Sequence, residues 1–98
     1  MTIEKVLEGD LEIIVIVGRL DTTTAPELEK EIDAIASNVN ELVLDMAGLE
    51  YVSSAGLRVI LKAQKIMNTQ GSMKLTNVSD GIMEVFDITG FLDILTIE

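Results

Sequence analysis

The chain has no cysteine, no histidine and no tryptophan. Without thiols there can be no disulfide, no thiol nucleophile and no thiolate metal ligand. Without imidazole the commonest general base and the commonest transition-metal ligand are missing too, and no catalytic triad can be assembled. Long apolar runs are also lacking: the longest, Ile13 to Val17, has five residues, against roughly 18 for a membrane span. The start, Met1-Thr2-Ile3-Glu4-Lys5, lacks the charged-then-apolar order of a secretory signal. The expectation is a cytoplasmic protein without membrane insertion. It is not expected to be an enzyme or to carry a cofactor.

Positive charge is the next scarcity. Seven Lys and Arg face seventeen Asp and Glu, for a net charge of −10. That balance argues against nucleic acid and anionic membrane surfaces as direct partners. The charge is uneven along the chain. Residues 1–50 hold twelve of the seventeen carboxylates and only Lys5, Arg19 and Lys30 as bases. From Tyr51 to Ser79 there is no carboxylate, while Arg58, Lys62, Lys65 and Lys74 are all present. Such a segment is either a solvated helix face or a place that docks something acidic or phosphorylated.

What the chain does have is enough apolar material for one core. Its 98 residues, 48% of them hydrophobic, suit a single domain spanning 1–98, which at this length buries roughly 65% of its unfolded surface. Thr2 to Leu7 reads as a short strand and Gly9-Asp10 as a turn. Leu11 to Val17 reads as a buried strand ended by Gly18, forming a hairpin with the first. Thr24 with Glu27 three residues later predicts a capping box, and Pro26 suits a first helical turn. Leu28, Ile32 and Ile35 then recur at helical spacing with acids between them. Glu41 to Met46 is a second buried-strand signal, and Ala47-Gly48-Leu49-Glu50 reads as a connection.

Ser53-Ser54 opens a helix to about Thr69. Ser54, Arg58, Lys62, Lys65 and Thr69 fall within an arc of about 80° on its wheel. Apolar residues fill most of the remainder, so this helix is largely buried and shows one basic stripe. Gly71 caps it. Ser72 to Val78 follows as a strand, Ser79 caps a short helix ended by Gly90, and Leu92 to Ile97 reads as a last strand. The order is β-β-α-β-α-β-α-β. Strands alternating with helices imply an α/β domain whose four- to five-stranded sheet is mixed but mostly parallel, with the helices packed on it.

In open α/β sheets function gathers where strand ends meet helix starts. Gly18 to Thr24 and Asp45 to Gly56 are the two such places rich in Gly, Ser, Thr and Asp. A serine at the start of a helix ordinarily spends its hydroxyl on the orphan N–H groups of the first turn. A phosphate on Ser54 would instead sit on the positive end of the helix dipole, with Arg58 four residues on able to lean toward it. No base is at hand to activate Ser54 as a nucleophile. Asp21 and Asp45 either cap their loops or hold a hard cation; two carboxylates on separate loops favour capping.

The stretch from Leu42-Val43-Leu44-Asp45-Met46 through Ser53-Ser54-Ala55-Gly56-Leu57-Arg58-Val59-Ile60-Leu61 resembles the core signature of the STAS family. Gly18-Arg19-Leu20-Asp21-Thr22-Thr23-Thr24-Ala25-Pro26-Glu27-Leu28 resembles that family's second motif, at the right distance. The resemblance covers nearly the whole chain and is to the small anti-sigma-factor antagonists. It implies a partner switch. The unphosphorylated antagonist binds an anti-sigma factor that is also a serine kinase, and so frees the sigma factor. The kinase phosphorylates a serine that aligns with Ser54, and a phosphoserine phosphatase resets the cycle. The resemblance also places Asp21, Thr22, Thr23, Ser53, Ser54, Gly56, Leu57 and Arg58 on the partner-binding surface. A lone domain of net charge −10 is expected to be monomeric when free. Family members usually carry Asp just before the phosphorylated serine; here that position is Ser53, which leaves two adjacent hydroxyls. Val52, Leu57 and Val59 are expected to form the dry centre of the interface. Three other classes stay open: a larger multi-protein stress scaffold, whose members usually carry an extra N-terminal domain, an accessory subunit of a membrane transporter such as a lipid-transport ATPase, and a nucleotide sensor. The last lacks a phosphate-cradling glycine loop.

Overall fold

The computed structural model describes all residues, 1–98. Strands β1 (Thr2–Glu8) and β2 (Leu11–Leu20) form the expected hairpin; helix α1 (Ala25–Asp33) leads into β3 (Glu41–Val52). Helix α2 (Ser54–Gln70), β4 (Ser72–Thr76) and α3 (Asp80–Ile88) follow, and Phe91–Asp93 forms one 3-10 turn. The sheet order is β1-β2-β3-β4, antiparallel at β1/β2 and parallel at the two other pairings. Both crossovers step the same way across the sheet. Right-handed connections of that kind set α1 and α2 on one face.

Strand period 2 then divides the residues. Ile14 and Ile16 of β2, Leu42, Leu44 and Met46 of β3, and Met73 and Leu75 of β4 all enter the core. From the helices, Leu28 and Ile32 of α1 and Ile60, Ala63 and Met67 of α2 meet them. Each large side chain so buried contributes about 1.5–3 kcal/mol. Phe86 of α3 is fully buried and stacks on Phe91 with ring centroids 6.4 Å apart. Gly71, at the end of α2, is a close approach. A Cβ there would lie 1.9 Å from the carbonyl oxygen of Asn40, so no other residue fits where the chain turns into β4.

Five expectations are corrected. Ala47-Gly48-Leu49-Glu50 is not a connection but the second half of β3, and β2 runs past Gly18 to Leu20. Register shifts between Val15 and Val17 and between Gly18 and Arg19 let β3 carry extra residues while pairing continues to Leu20↔Val52. Such bulges admit residues of poor strand propensity. The last strand reduces to a single bridge from Leu75 to Ile97. Gly90 turns the chain and Phe91 is held on Phe86, so only the final residues reach the edge of β4. Strand β4 stops at Thr76 rather than Val78, since Asn77 takes a positive φ of 56°. Finally, β2 is not buried on both faces: helices cover one only.

Candidate functional site

The two loops rich in hydroxyls meet because β2 and β3 end side by side. Leu20 pairs with Val52, and the Ser53 N–H donates to the Leu20 carbonyl at 2.9 Å. Gly56 allows α2 to start there. A Cβ on it would fall 2.7 Å from Cγ of Leu20 and 2.9 Å from Cγ2 of Val52. The start of α2 is thus seated against the end of both strands, and Gly56 and Leu57 face inward.

In the first loop one carboxylate organises the backbone. Asp21 Oδ1 accepts from the Thr23 N–H (3.0 Å), the Thr23 hydroxyl (2.8 Å) and the Thr24 N–H (3.2 Å). The Thr23 hydroxyl foremost, helped by those N–H groups, holds the Asp21 carboxyl below the usual aspartate range. The capping box is corrected: Thr24 does stand at the N-cap of α1, but its side chain does not cap. Its hydroxyl accepts from the Asp21 N–H at 2.8 Å and donates to the Arg19 carbonyl at 2.7 Å. The stronger local partners win because Asp21 folds the loop back on itself.

The second loop distributes its hydroxyls differently. Ser53 has extended backbone, stands at the N-cap of α2, and accepts from the Gly56 N–H at 3.4 Å. Ser54 is therefore the first helical residue rather than the cap. It is exposed, and its hydroxyl has no hydrogen-bond partner. No acid lies in the first turn of α2, so the positive end of the dipole is uncompensated there.

Around Ser54 the surface is mixed. Thr22, Ala25, Pro26, Glu29, Ala55, Arg58 and Val59 line a cleft of about 260 Å³ between the starts of α1 and α2. Arg58 is exposed and has no carboxylate within 4.0 Å, whereas Lys62 bridges to Glu29 (3.1 Å) and Asp33 (2.8 Å) on α1. Lys74 is likewise taken up by Glu41 and Glu98. The basic stripe of α2 is thereby split, with Arg58 free beside Ser54 and Lys62 spent on helix packing. Asp45 accepts from the Ala47 N–H and from Asn77, both at 3.1 Å, so it braces its loop.

Of the residues expected at the surface, Asp21, Thr22, Thr23, Ser53, Ser54 and Arg58 reach it on one side of the molecule. Gly56 and Leu57 do not. Val52, Leu57 and Val59, expected as the dry centre of an interface, are all in the core, because α2 presses that side onto the strand ends. The exposed apolar surface nearby belongs instead to Tyr51, 41% accessible, whose ring lies 4.3 Å under the Arg19 guanidinium. Arg19 and Tyr51 were missed from the sequence. Only the shifted register that makes them cross-strand partners brings them together.

The STAS domain family model matches residues 2–98 of this sequence. This chain belongs to the STAS family. BtrV of Bordetella bronchiseptica is 36% identical over 99 residues, covering 99% of this chain and 84% of BtrV. The anti-sigma-B factor antagonist of Bacillus subtilis is 34% identical over 91 residues, covering 92% of this chain and 83% of that protein. Among solved structures, Bacillus SpoIIAA in its phosphorylated form shares the fold, with a TM-score of 0.77 at 17% identity over 99% of this chain and 91% of that one. No helix of this STAS domain is long and apolar enough to cross a membrane.

Proposed function

We propose that this STAS domain is an anti-sigma-factor antagonist whose unphosphorylated form binds an anti-sigma factor with serine-kinase activity, and that phosphorylation of Ser54 switches that binding off. The observation that carries the reading is the division of labour between two adjacent serines. Ser53 satisfies the helix end, which leaves the Ser54 hydroxyl exposed and unbonded at the junction of both loops. A modification there spares the fold and changes only the surface.

Adding phosphate brings about −2 charges to the positive end of α2, next to an unpaired Arg58. A partner surface fitted to a neutral hydroxyl then faces a charge that it has to desolvate. Weakening binding a thousandfold needs only about 4 kcal/mol, which one buried unpaired charge supplies. The naming of the Bacillus subtilis relative as an antagonist, and the existence of a phosphorylated fold neighbour, support the reading. The negative surface of α1 and the small Ala55, Pro26 and Thr22 side chains would frame the contact, with Asp21 and Thr23 fixing the loop beside it. A phosphoserine phosphatase would reset the switch.

The test is a pull-down from lysate of the source cell with wild type and Ser54→Asp side by side, bound proteins being identified by mass spectrometry. Wild type is expected to capture an ATP-binding kinase that Ser54→Asp does not. Equal capture of a transporter ATPase by both would instead make the domain a transporter accessory subunit and Ser54 an ordinary helix-start residue.

A further inference from the structure

The second face of the sheet carries a surface that the Ser54 switch does not use. Leu11, Ile13, Val15 and Val17 of β2 point away from the helices, and none of them joins the core or packs against it. Val17 is 43% accessible and Val6, across from Ile13, 45%, while Leu11, Ile13 and Val15 are half-buried and Val43 is buried. A five-residue apolar run is the signature of a strand covered on both sides, yet this one is covered on one.

Read across β1, β2 and β3, the outward rows are Glu8–Leu11–Glu41, Val6–Ile13–Val43 and Glu4–Val15–Asp45. An apolar column therefore runs down β2, with carboxylates on both flanks at two levels. The bases on this face are engaged elsewhere: Lys74 of β4 is held by Glu41 at 3.4 Å and Glu98 at 3.0 Å, and Arg19, at the far end of β2, lies over Tyr51 and 3.8 Å from Asp21. A second copy of the chain would bring the same four carboxylates against their counterparts, on a molecule of net charge −10. Charge complementarity calls for an occupant that is apolar along its middle and basic along its edges.

We propose that this open sheet face docks an amphipathic helix of a partner protein, its apolar stripe laid along β2 and flanked by Lys and Arg that meet Glu4, Glu8, Glu41 and Asp45. The dimensions fit. Leu11 to Val17 spans about 20 Å of strand, the length of about 13 helical residues, or between three and four turns. A helix there would complete a helix–sheet–helix sandwich, the arrangement that all-covered strands ordinarily occupy. The site lies on the opposite face from Ser54, so both can be engaged together.

The test titrates the isotope-labelled full chain, followed by amide NMR, with a synthetic helical peptide of about 14 residues bearing Leu on one face and Lys on the other. A matching peptide with Glu in place of Lys is the control. The Leu/Lys peptide is expected to shift amides of Leu11 to Val17 and Val43 and to leave Ser53 to Arg58 unmoved; the Leu/Glu peptide is expected not to bind. Val15→Glu decides the mechanism, because it makes the chain more acidic. A docked apolar stripe is then weakened about tenfold, whereas a purely electrostatic contact is strengthened. Val15→Thr, which keeps the β-branched shape, is expected to weaken binding about threefold. Shifts confined to α1, tighter binding by Val15→Glu, or no shift up to about 1 mM peptide would each overturn the proposal. So would a doubled mass in light scattering that Val15→Glu abolishes, which would assign the face to a second copy.

Discussion

The starts of α1 and α2 are built from similar residues and end in opposite states. Each follows a strand that ends beside the other, at Leu20 and Val52, and each is preceded by hydroxyl side chains. In the first loop Asp21 takes the Thr23 hydroxyl at 2.8 Å, and the Thr24 hydroxyl is spent on the Arg19 carbonyl at 2.7 Å. In the second, Ser53 stands just before the helix and no carboxylate is there to gather Ser54. A count of hydroxyls therefore does not make a modifiable site. What matters is whether a local acceptor has already claimed them and where the free one stands: Thr22 lies in the loop ahead of α1, and only α2 offers a free hydroxyl within its first turn.

The largest effect should separate Ser53 from Ser54. With the cognate kinase, Ser54→Ala is expected to lose phosphate incorporation entirely while melting as wild type does. Ser53→Ala is expected to keep incorporation and to cost about 1 kcal/mol of stability, the loss of an N-cap side chain. Radiolabel transfer and chemical denaturation on both variants check this. Full incorporation into Ser54→Ala would move the site to Ser53 and undo the contrast between cap and free hydroxyl.

Next in size is the seat that holds the two loops together. Gly56→Ala is expected to cost about 1–3 kcal/mol by overpacking, since the new methyl meets Leu20 at 2.7 Å and Val52 at 2.9 Å. Gly81 of α3 is the control: a Cβ there meets nothing within 4 Å, so Gly81→Ala should gain about 0.4–1 kcal/mol from the unfolded state. Equal stabilities for the two variants would show that α2 is not fixed against the strand ends.

How much of this was legible in the sequence follows the same divide. The elements with strong periodicity were: the hairpin, α1, α2 and the parallel core of the sheet came from Ile14, Leu42, Leu44, Ile60 and Met67, whose spacing dictates their burial. Ala47 to Glu50 was not, because local propensity opposes a strand there and pairing to β2 with bulges overrides it. The C-terminal strand failed for the reverse reason: the apolar pattern of Leu92 to Ile97 is real, but Leu95 is buried from a turn and Ile94 is 48% accessible. At the site, the motif located both loops correctly. It could not say which serine caps, that Thr24 turns back to Arg19, or that Val52, Leu57 and Val59 face the core. Each of those depends on the direction in which α2 leaves β3.

A smaller effect should come from charge at the free helix end. Ser54→Asp puts a carboxylate in a first turn that has none, and is expected to stabilise the domain by about 0.3–1 kcal/mol at low salt. The gain should fade as salt screens the dipole. Thermal melts at two ionic strengths measure it. A loss of tens of degrees would mean that the Ser54 hydroxyl is structural after all, and the two loops would no longer differ.

The smallest effect concerns pH, and it distinguishes the loops by chemistry rather than by geometry. The folded state holds Asp21 below its ordinary value, chiefly through the Thr23 hydroxyl. A carboxyl with a lowered folded pKa contributes stability that is fully present above the unfolded value, about 4, and is lost as pH falls through the folded one. Wild type should therefore be more stable than Asp21→Asn at neutral pH, by a margin that stays level down to about pH 5 and then shrinks with acid. The corresponding margin between wild type and Ser53→Ala should not change with pH, because the cap on α2 is a hydroxyl that does not titrate. Urea midpoints of the three proteins across the acid range make the comparison. A margin for Asp21→Asn that stayed constant into strong acid would show that its carboxylate charge does not organise the first loop, and that the threonines hold it by shape alone.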